Sequence, residues 1–189
     1  MFMDRPKVYI VHGFMAAPTD HWFPWLKDQL EKEGIAVSVL MLPNSEQPDR
    51  EKWLNYMKEN VQLDEKTIMV AHSLGCLATF NFLEFDKNHL QGLLLVSGFI
   101  KSPLPELDEF VSTTTDTTLI KSLTPNRVAI AAKNDSIVPY LMTVEMSDDL
   151  EAELITLEDG NHLMASDGFT MFPMVLDVLR KWINIRVDG

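Results

Sequence analysis

The chain has 189 residues with 28 acidic and 16 basic side chains, which gives a formal net charge of −12 at pH 7. This length predicts one domain, residues 1–189, whose core is large enough to fold without disulfides or a metal. The acidic excess argues against nucleic acid or an anionic membrane as a partner, because both would repel the chain. The single cysteine excludes an internal disulfide and a zinc site built on several thiolates.

The apolar pattern predicts a soluble, cytoplasmic protein. No basic segment followed by an apolar one stands at Met1–Pro6, so no secretion signal is expected there. The longest apolar runs, such as Val8–Val11 and Leu93–Val96, are far shorter than the roughly 20 residues that cross a bilayer. We therefore expect no membrane partner.

Strand and helix patterns alternate along the chain. In chain order the predicted elements are strand Lys7–Val11, helix Thr19–Glu33, strand Ala36–Met41, helix Asp49–Val61, strand Thr67–Ala71, helix Leu74–Phe85, strand Gly92–Ser97, strand Arg127–Ala132, helix Tyr140–Leu150, strand Glu153–Leu157 and helix Phe169–Ile183. The near-continuous apolarity of the strands is typical of parallel strands buried on both faces. Because alternation implies right-handed crossovers, we expect an α/β fold, a compact three-layer αβα sandwich with a mostly or wholly parallel sheet of about six strands.

One segment, Lys101–Pro125, departs from this alternation. It holds Pro103 and Pro105 as well as the threonine run Thr113–Thr115. Such composition predicts a loop-rich insertion with a weaker helix, not a second domain. The sequence leaves open whether this segment moves as a small lid.

Ser73 is the candidate nucleophile. It lies in Ala71-His72-Ser73-Leu74-Gly75, between a predicted strand and a predicted helix. The pattern small-x-Ser-x-Gly in that context is typical of a nucleophile elbow, a sharp turn that lifts the serine hydroxyl above the sheet. Ligands of parallel sheets bind beyond the carboxyl ends of the strands, and Ser73 meets that condition. The alternative is a serine that only caps the following helix.

A histidine and a carboxylate complete the predicted triad. His162 follows the last predicted strand and is the candidate base, and Asp135 follows the strand before it and is the acid that orients the base. The order Ser73, Asp135, His162 is the one expected for this kind of fold. The competing histidines, which lie in other motifs, turns or helix starts, are His12, His21, His72 and His89. The competing acids, both close in sequence to His162, are Asp159 and Asp167.

Two backbone N–H groups, those of Phe14 and Leu74, are the candidate oxyanion-hole donors. Phe14 follows His12-Gly13 at the end of the first strand, where a glycine lets the backbone approach the substrate carbonyl. The candidate substrate contacts are His12, Gly13, Trp22 and Phe99. For Trp22 the alternative is core packing, because it shares a helix face with Trp25.

The motifs together resemble the α/β-hydrolase superfamily over nearly the whole chain and, more narrowly, the small retinoblastoma-binding-protein-like serine hydrolases, including the YdeN-like bacterial group. The segments that carry the resemblance are His12-Gly13-Phe14, Asp20-His21-Trp22-Phe23-Pro24-Trp25-Leu26, Leu42-Pro43, Ala71-His72-Ser73-Leu74-Gly75-Cys76, Asn134-Asp135-Ser136-Ile137-Val138-Pro139 and Gly160-Asn161-His162. The resemblance implies little or no cap domain, a Ser73–Asp135–His162 triad and activity on small carboxylic esters. One departure is Ala132-Lys133-Asn134, where many hydrolases place a glycine.

The function expected from these residues is that of a serine hydrolase of the carboxylesterase type, which forms an acyl-enzyme on Ser73. A thioesterase, lactonase or peptidase-like acyl hydrolase with the same triad is an alternative, and a non-catalytic interaction module is a more distant one. No cluster of His, Asp or Glu has the spacing of a metal site, so neither a metal nor another cofactor is expected. The partner is a small ester or acyl substrate, neutral or weakly charged because of the negative net charge. Monomer and homodimer both remain open.

Overall fold

The computed structural model describes residues 5–111 and 114–183. Thr113 of the predicted threonine run lies outside them, as do residues 1–4 of the segment searched for a signal. The described residues form the strands β1 (Lys7–Val11), β2 (Ala36–Val39), β3 (Thr67–His72), β4 (Gly92–Val96), β5 (Asn126–Ala132) and β6 (Glu153–Leu157). They also form the helices α1 (Phe23–Lys32), α2 (Arg50–Asn60), α3 (Leu74–Asp86), α4 (Thr117–Leu123), α5 (Tyr140–Asp149) and α6 (Pro173–Ile183).

The six strands form one sheet in the order β2-β1-β3-β4-β5-β6, and every neighbouring pair is parallel. The predicted α/β architecture is therefore confirmed. The chain passes from β1 outwards to β2 and then crosses back over β1 to β3, so the strand order reverses between β1 and β3. Loops diverge at such a switch point and leave a crevice beyond the strand ends. Since Val11 pairs with Ala71, the residues that follow β1 and β3 meet at this crevice.

Alternate strand residues supply two separate apolar clusters, one on each face of the sheet. On one face α1 and α6 cover side chains such as Ile10 and Val70. On the other face α2, α3, α4 and α5 cover side chains such as Val11 and Ala71. Adjacent residues of a strand point to opposite faces, and near-continuous apolar strands can therefore fill both cores. Among the residues that the structure describes, no helix is both long and apolar enough to cross a membrane.

Two helices, α1 and α6, begin a full turn later than the sequence predicts. Helix α1 starts at Phe23 and not at Thr19, because His21 has φ 53° and cannot belong to a right-handed helix. Helix α6 starts at Pro173 and not at Phe169, because proline suits the first position of a helix and disfavours the helical conformation at Phe172 before it. Both irregular segments border the crevice, and both contribute to the site described next.

The segment after β4 is loop-rich, as predicted. It contains a single 3₁₀ turn at Pro105–Leu107 and the short helix α4. Leu107 and Phe110 are buried against the α2–α5 side of the core, so this part of the segment is anchored by apolar contacts.

Candidate active site

Ser73 lies at the turn between β3 and α3 in a backbone conformation that side-chain-bearing residues rarely adopt, with φ 56° and ψ −124°. Its N–H donates to the carbonyl oxygen of Val96 over 2.9 Å, and its own carbonyl accepts from the N–H of Cys76 over 3.0 Å. Such strain persists only where surrounding contacts impose it, which is typical of functional sites. Ser73 occupies the N-cap position, but its hydroxyl makes no capping hydrogen bond. The capping alternative therefore does not account for this serine.

Gly75 allows the elbow to be this tight. A methyl group in place of its hydrogen would lie 2.3 Å from the carbonyl oxygen of Val11 and 2.7 Å from that of His12. Both contacts are with backbone at the end of β1, which has no room to move away. The small residue at this position is thus required because α3 starts directly against the neighbouring strand.

His162 is paired with Asp135. The distance from its Nδ1 to the Oδ2 of Asp135 is 2.9 Å, and the two side chains are only 4% and 2% exposed. The other carboxylate oxygen of Asp135 accepts the N–H groups of Ile137 and Val138, each over 2.9 Å. Because an ionised carboxylate only accepts, Nδ1 of His162 carries the proton and Nε2 keeps its lone pair. The imidazole is therefore held in the tautomer that a general base needs.

Two asparagines join the loop of Asp135 to the loop of His162. Asn134 Oδ1 accepts the N–H groups of Gly160 and Asn161, over 3.1 and 2.9 Å. In return, Asn161 Oδ1 accepts the N–H and the hydroxyl of Ser136, both over 2.8 Å. The segment Ala132-Lys133-Asn134, which departs from the glycine common in hydrolases, thus supplies a side chain that binds the acid loop to the base loop.

The backbone that carries His162 is irregular, and three side chains from other elements hold it. Asn161 and Leu163, on either side of the histidine, have φ 49° and 58°. His72 Nε2 donates to the carbonyl of His162 over 2.9 Å, Trp22 Nε1 donates to the carbonyl of Leu163 over 3.1 Å, and His21 Nδ1 accepts the N–H of Ala165 over 3.0 Å. We call these three residues, His21, Trp22 and His72, the histidine clamp. Their three hydrogen bonds hold this loop, which has no regular helix or strand hydrogen bonds around His162.

The backbone after β1 lies directly against the elbow. A methyl group at Gly13 would be 3.0 Å from the His72 carbonyl oxygen and 3.1 Å from the Leu74 nitrogen. The N–H groups of Phe14 and Leu74 therefore belong to neighbouring segments, and within the described residues neither donates to a protein acceptor. Leu74 is the first residue of α3, whose N-terminal N–H groups carry a partial positive charge. An anion at this point would find two available donors.

Ser73 and His162 both line a cavity of about 450 Å³ beyond the strand ends. Apart from these two residues its lining is mostly apolar, and the polar side chains that take part are His21, His72 and Ser136. The full lining consists of Gly13, Phe14, Met15, Ala16, His21, His72, Ser73, Phe99, Pro103, Leu104, Leu107, Ser136, Ile137, Val138, His162 and Met164. The loop-rich segment after β4 contributes Pro103, Leu104 and Leu107, so it forms one wall of the cavity.

Two of the four residues expected to contact substrate lie elsewhere. Gly13 and Phe99 line the cavity, but His12 and Trp22 are 1% and 0% exposed and do not. His12 lies on the other side of the Gly13 turn: its Nδ1 donates to the Gly13 carbonyl over 3.0 Å, and its Nε2 accepts the N–H of Leu42 over 3.1 Å. Trp22 packs between Phe23 and Phe172 and uses its indole N–H in the histidine clamp. Both correct the prediction: they support the site from behind and have no surface left for a substrate.

His21 lines the cavity, although the sequence patterns predict it only as a residue at the start of a helix. It stands between Asp20, whose carboxylate accepts the N–H of Ala17, and the buried Trp22. No local sequence pattern marks this position, because the left-handed backbone at His21, with φ 53°, breaks the helical pattern there. The exposed Met15 and the half-buried Met164 also belong to the cavity.

Burial sets the charge state of the histidines around the site. Desolvation lowers the pKa of His12 and His21, and it lowers the pKa of the fully buried His72 well below the usual range, with the nearby His162 adding to the effect. Burial raises the pKa of Cys76, whose thiol is enclosed beneath the elbow. Among residues 5–111 and 114–183 no group of three or more His, Cys, Asp or Glu side chains is placed to hold a metal ion.

The sheet order and the strand-to-helix turn at Ser73 define an α/β-hydrolase fold. The family model for the serine hydrolase family matches residues 8–181, and the chain belongs to that family. It is 40% identical to YdeN of Bacillus subtilis strain 168 over 94% of this chain and 96% of YdeN. It is 25% identical to the serine hydrolase RBBP9 of Rattus norvegicus over 85% of this chain and 88% of RBBP9.

Solved structures agree with this assignment. The crystal structure of the ydeN gene product from B. subtilis superimposes with a TM-score of 0.90 over 95% of this chain and 100% of that one. Est1E from Butyrivibrio proteoclasticus shares the fold at 14% identity, with a TM-score of 0.65 over 93% of this chain and 88% of that one. The protein is thus a hydrolase of the serine hydrolase family.

Proposed function

We propose that the protein hydrolyses small carboxylic esters through an acyl-enzyme on Ser73, with His162 as the base and Asp135 as the orienting acid. One observation carries the proposal: His162, held by the buried Asp135 at 2.9 Å, lines the same cavity as Ser73, which stands at a strained elbow with its hydroxyl unused by the helix cap. These are the relations that a nucleophile, its base and the group behind the base require.

In the first half of the reaction, Ser73 Oγ attacks the ester carbonyl while its proton passes to Nε2 of His162. The carbonyl electron pair moves to oxygen, which accepts the N–H groups of Phe14 and Leu74. Each such donor is worth about 10²- to 10³-fold in kcat. Breakdown of the tetrahedral intermediate releases the alcohol, which takes the proton from His162, and leaves the acyl group on Ser73.

In the second half, water attacks the acyl-enzyme. His162 Nε2 takes a proton from the water and then returns it to Ser73 Oγ as the carboxylic acid leaves. Asp135 holds the imidazole in one tautomer and stabilises its cationic form in both halves. The base must be neutral to begin each half.

The cavity favours neutral, compact substrates. Among the residues that the structure describes, its lining contains aliphatic and aromatic side chains but no lysine, arginine or carboxylate. The chain as a whole carries a net charge of −12, which repels anions. A volume of about 450 Å³ is within the range of small-molecule sites. Short- to medium-chain acyl esters of small alcohols fit these conditions.

Labelling with a fluorophosphonate probe tests the assignment of the nucleophile. We expect wild-type protein to be labelled and Ser73→Ala to remain unlabelled, while Ser136→Ala, which removes another hydroxyl from the same cavity, stays labelled. Labelling that persists in Ser73→Ala would overturn the assignment. A matched panel of butanoyl ester, thioester, lactone and aminoacyl amide substrates then decides between the esterase and the other acyl hydrolases with the same triad.

A further inference from the structure

His21 is a polar cavity residue that the proposed reaction does not use. Its side chain is half-buried and lines the same cavity as Ser73 and His162. The ring packs nearly perpendicular to the ring of Phe23, with centroids 5.4 Å apart, and it also packs against His72 at 5.5 Å. The ring is thus packed from two sides within the otherwise apolar wall.

The hydrogen bond to Ala165 determines which nitrogen of His21 carries the proton. Nδ1 lies 3.0 Å from the backbone nitrogen of Ala165, and a backbone N–H can only donate. Nδ1 must therefore accept, and in the neutral ring the proton resides on Nε2. Within the described residues, Nε2–H has no protein acceptor. It is a donor without a protein partner in the same cavity as the candidate nucleophile.

The donor is also fixed in space. His21 is locked at φ 53°, Asp20 fixes the turn before it through the N–H of Ala17 at 2.8 Å, and Trp22 after it is fully buried. A donor that is already ordered loses little conformational entropy when a ligand accepts from it. The same ring stays neutral near pH 7, because burial lowers its pKa.

We propose that Nε2–H of His21 binds an oxygen acceptor of the substrate beyond the scissile ester, and that the preferred substrates are neutral esters carrying an ether, hydroxyl or carbonyl oxygen in one of their two arms. The inference rests on the proposed function, because it assigns the substrate class of the same cavity. A neutral donor favours such an oxygen over a plain alkyl group, which would leave the N–H buried without a partner. An additional carboxylate is disfavoured, since no lysine or arginine stands among the described residues that line the cavity.

Two substitutions separate this role from that of the histidine clamp. In His21→Asn the side-chain oxygen stands near the position of Nδ1 and retains the bond to Ala165, but nothing replaces the distant N–H. Asparagine also tolerates the left-handed backbone at this position. In His21→Gln the amide can accept from Ala165 or place an N–H near the position of Nε2. His21→Asn therefore tests the hydrogen bond from Nε2–H to the substrate. His21→Gln tests whether an N–H returned to that position restores the bond.

Two substrate pairs of equal length locate the acceptor. On the acyl arm, 4-nitrophenyl 3-methoxypropanoate is compared with 4-nitrophenyl pentanoate. On the alcohol arm, 2-methoxyethyl butanoate is compared with butyl butanoate. For one pair we expect the ratio of kcat/KM, ether over alkyl, to fall about fivefold to tenfold in His21→Asn and to recover in His21→Gln. Ratios that are the same in wild type and His21→Asn for both pairs would overturn the inference, because a merely structural role changes both members of a pair equally.

A binding experiment distinguishes failure of this inference from failure of the proposed function. In Ser73→Ala protein the four esters are added in turn, and the Nε2 and attached proton resonances of His21 are followed by NMR. A shift with one ether ester that exceeds the shift with its alkyl partner supports the inference even if the fluorophosphonate test refutes Ser73 as nucleophile. Equal shifts within both pairs contradict the inference even if Ser73 is the nucleophile.

Discussion

The substitution Trp22→Phe tests whether the histidine clamp positions the candidate base. It removes the indole N–H that donates to the Leu163 carbonyl over 3.1 Å, at a residue that is 0% exposed. A buried carbonyl without a donor costs about 1–3 kcal/mol, and the lost part of the ring adds about 1 kcal/mol. The free energy of unfolding should therefore fall by about 2–4 kcal/mol. Leu163 adjoins His162, so a small shift of the imidazole should also lower kcat/KM about tenfold.

Trp53→Phe is the matched control. Trp53 is also 0% exposed, and its Nε1 donates to a backbone carbonyl, that of Pro43, over 2.8 Å. Its removal should cost a similar free energy of unfolding but leave kcat/KM within about twofold of wild type. Urea unfolding and steady-state kinetics on a butanoyl ester measure both quantities. Equal kcat/KM values for the two variants would contradict a positioning role for the histidine clamp, since the loss in Trp22→Phe would then reflect stability alone.

Three further predictions concern the elbow, the buried histidine and the acid. Gly75→Ala should lower the melting temperature and abolish activity, because the added methyl group would lie 2.3 Å from the Val11 carbonyl oxygen; wild-type kinetics would contradict this. Burial lowers the pKa of His72 far below 6.5, so the folded protein binds fewer protons than the unfolded chain below that pH, and stability is lost as the pH falls. His72→Gln, which retains an N–H for the His162 carbonyl, should reduce the slope of unfolding free energy between pH 6.5 and 5.5 by about 1 kcal/mol per pH unit; an unchanged slope in urea titrations would count against it. Asp135→Asn should lower kcat by roughly 10³-fold or more, because the amide favours the wrong tautomer of His162; a loss below tenfold would show that the carboxylate is not needed.

The sheet and the order of its elements were predictable because strand and helix leave strong periodic signals. All six strands and five of the six helices coincide with predicted segments, and α4 falls in the segment for which a weak helix was expected. The largest errors lie at two helix starts. His21 with φ 53° interrupts the predicted start of α1, and Pro173 sets the start of α6 because it disfavours a helical Phe172. Apolar spacing carries no information on a single left-handed residue or on a proline at the first helical position.

For the candidate site, the position of a residue at a strand end could be predicted from its motif. The direction in which its side chain points could not be predicted where only packing determines it. Ser73, Asp135 and His162 each follow a strand, and parallel strands bring their ends to one edge of the sheet. His12 and Trp22 lie in other motifs near the strand ends, but their side chains turn into the core. The hydrogen bonds of the histidine clamp link residues more than 80 positions apart in the chain, such as His72 and His162, and no local pattern encodes such a pairing.

The most direct test of the account is a crystal structure of the protein after reaction with a small alkyl fluorophosphonate. An acyl-enzyme mechanism on Ser73 predicts phosphorus bound covalently to Ser73 Oγ and a phosphonyl oxygen within about 2.7–3.1 Å of the N–H groups of Phe14 and Leu74. It also predicts His162 Nε2 within hydrogen-bond distance of the Ser73 oxygen. A phosphonate on another residue, or one on Ser73 whose oxygen points away from both amides, would contradict it.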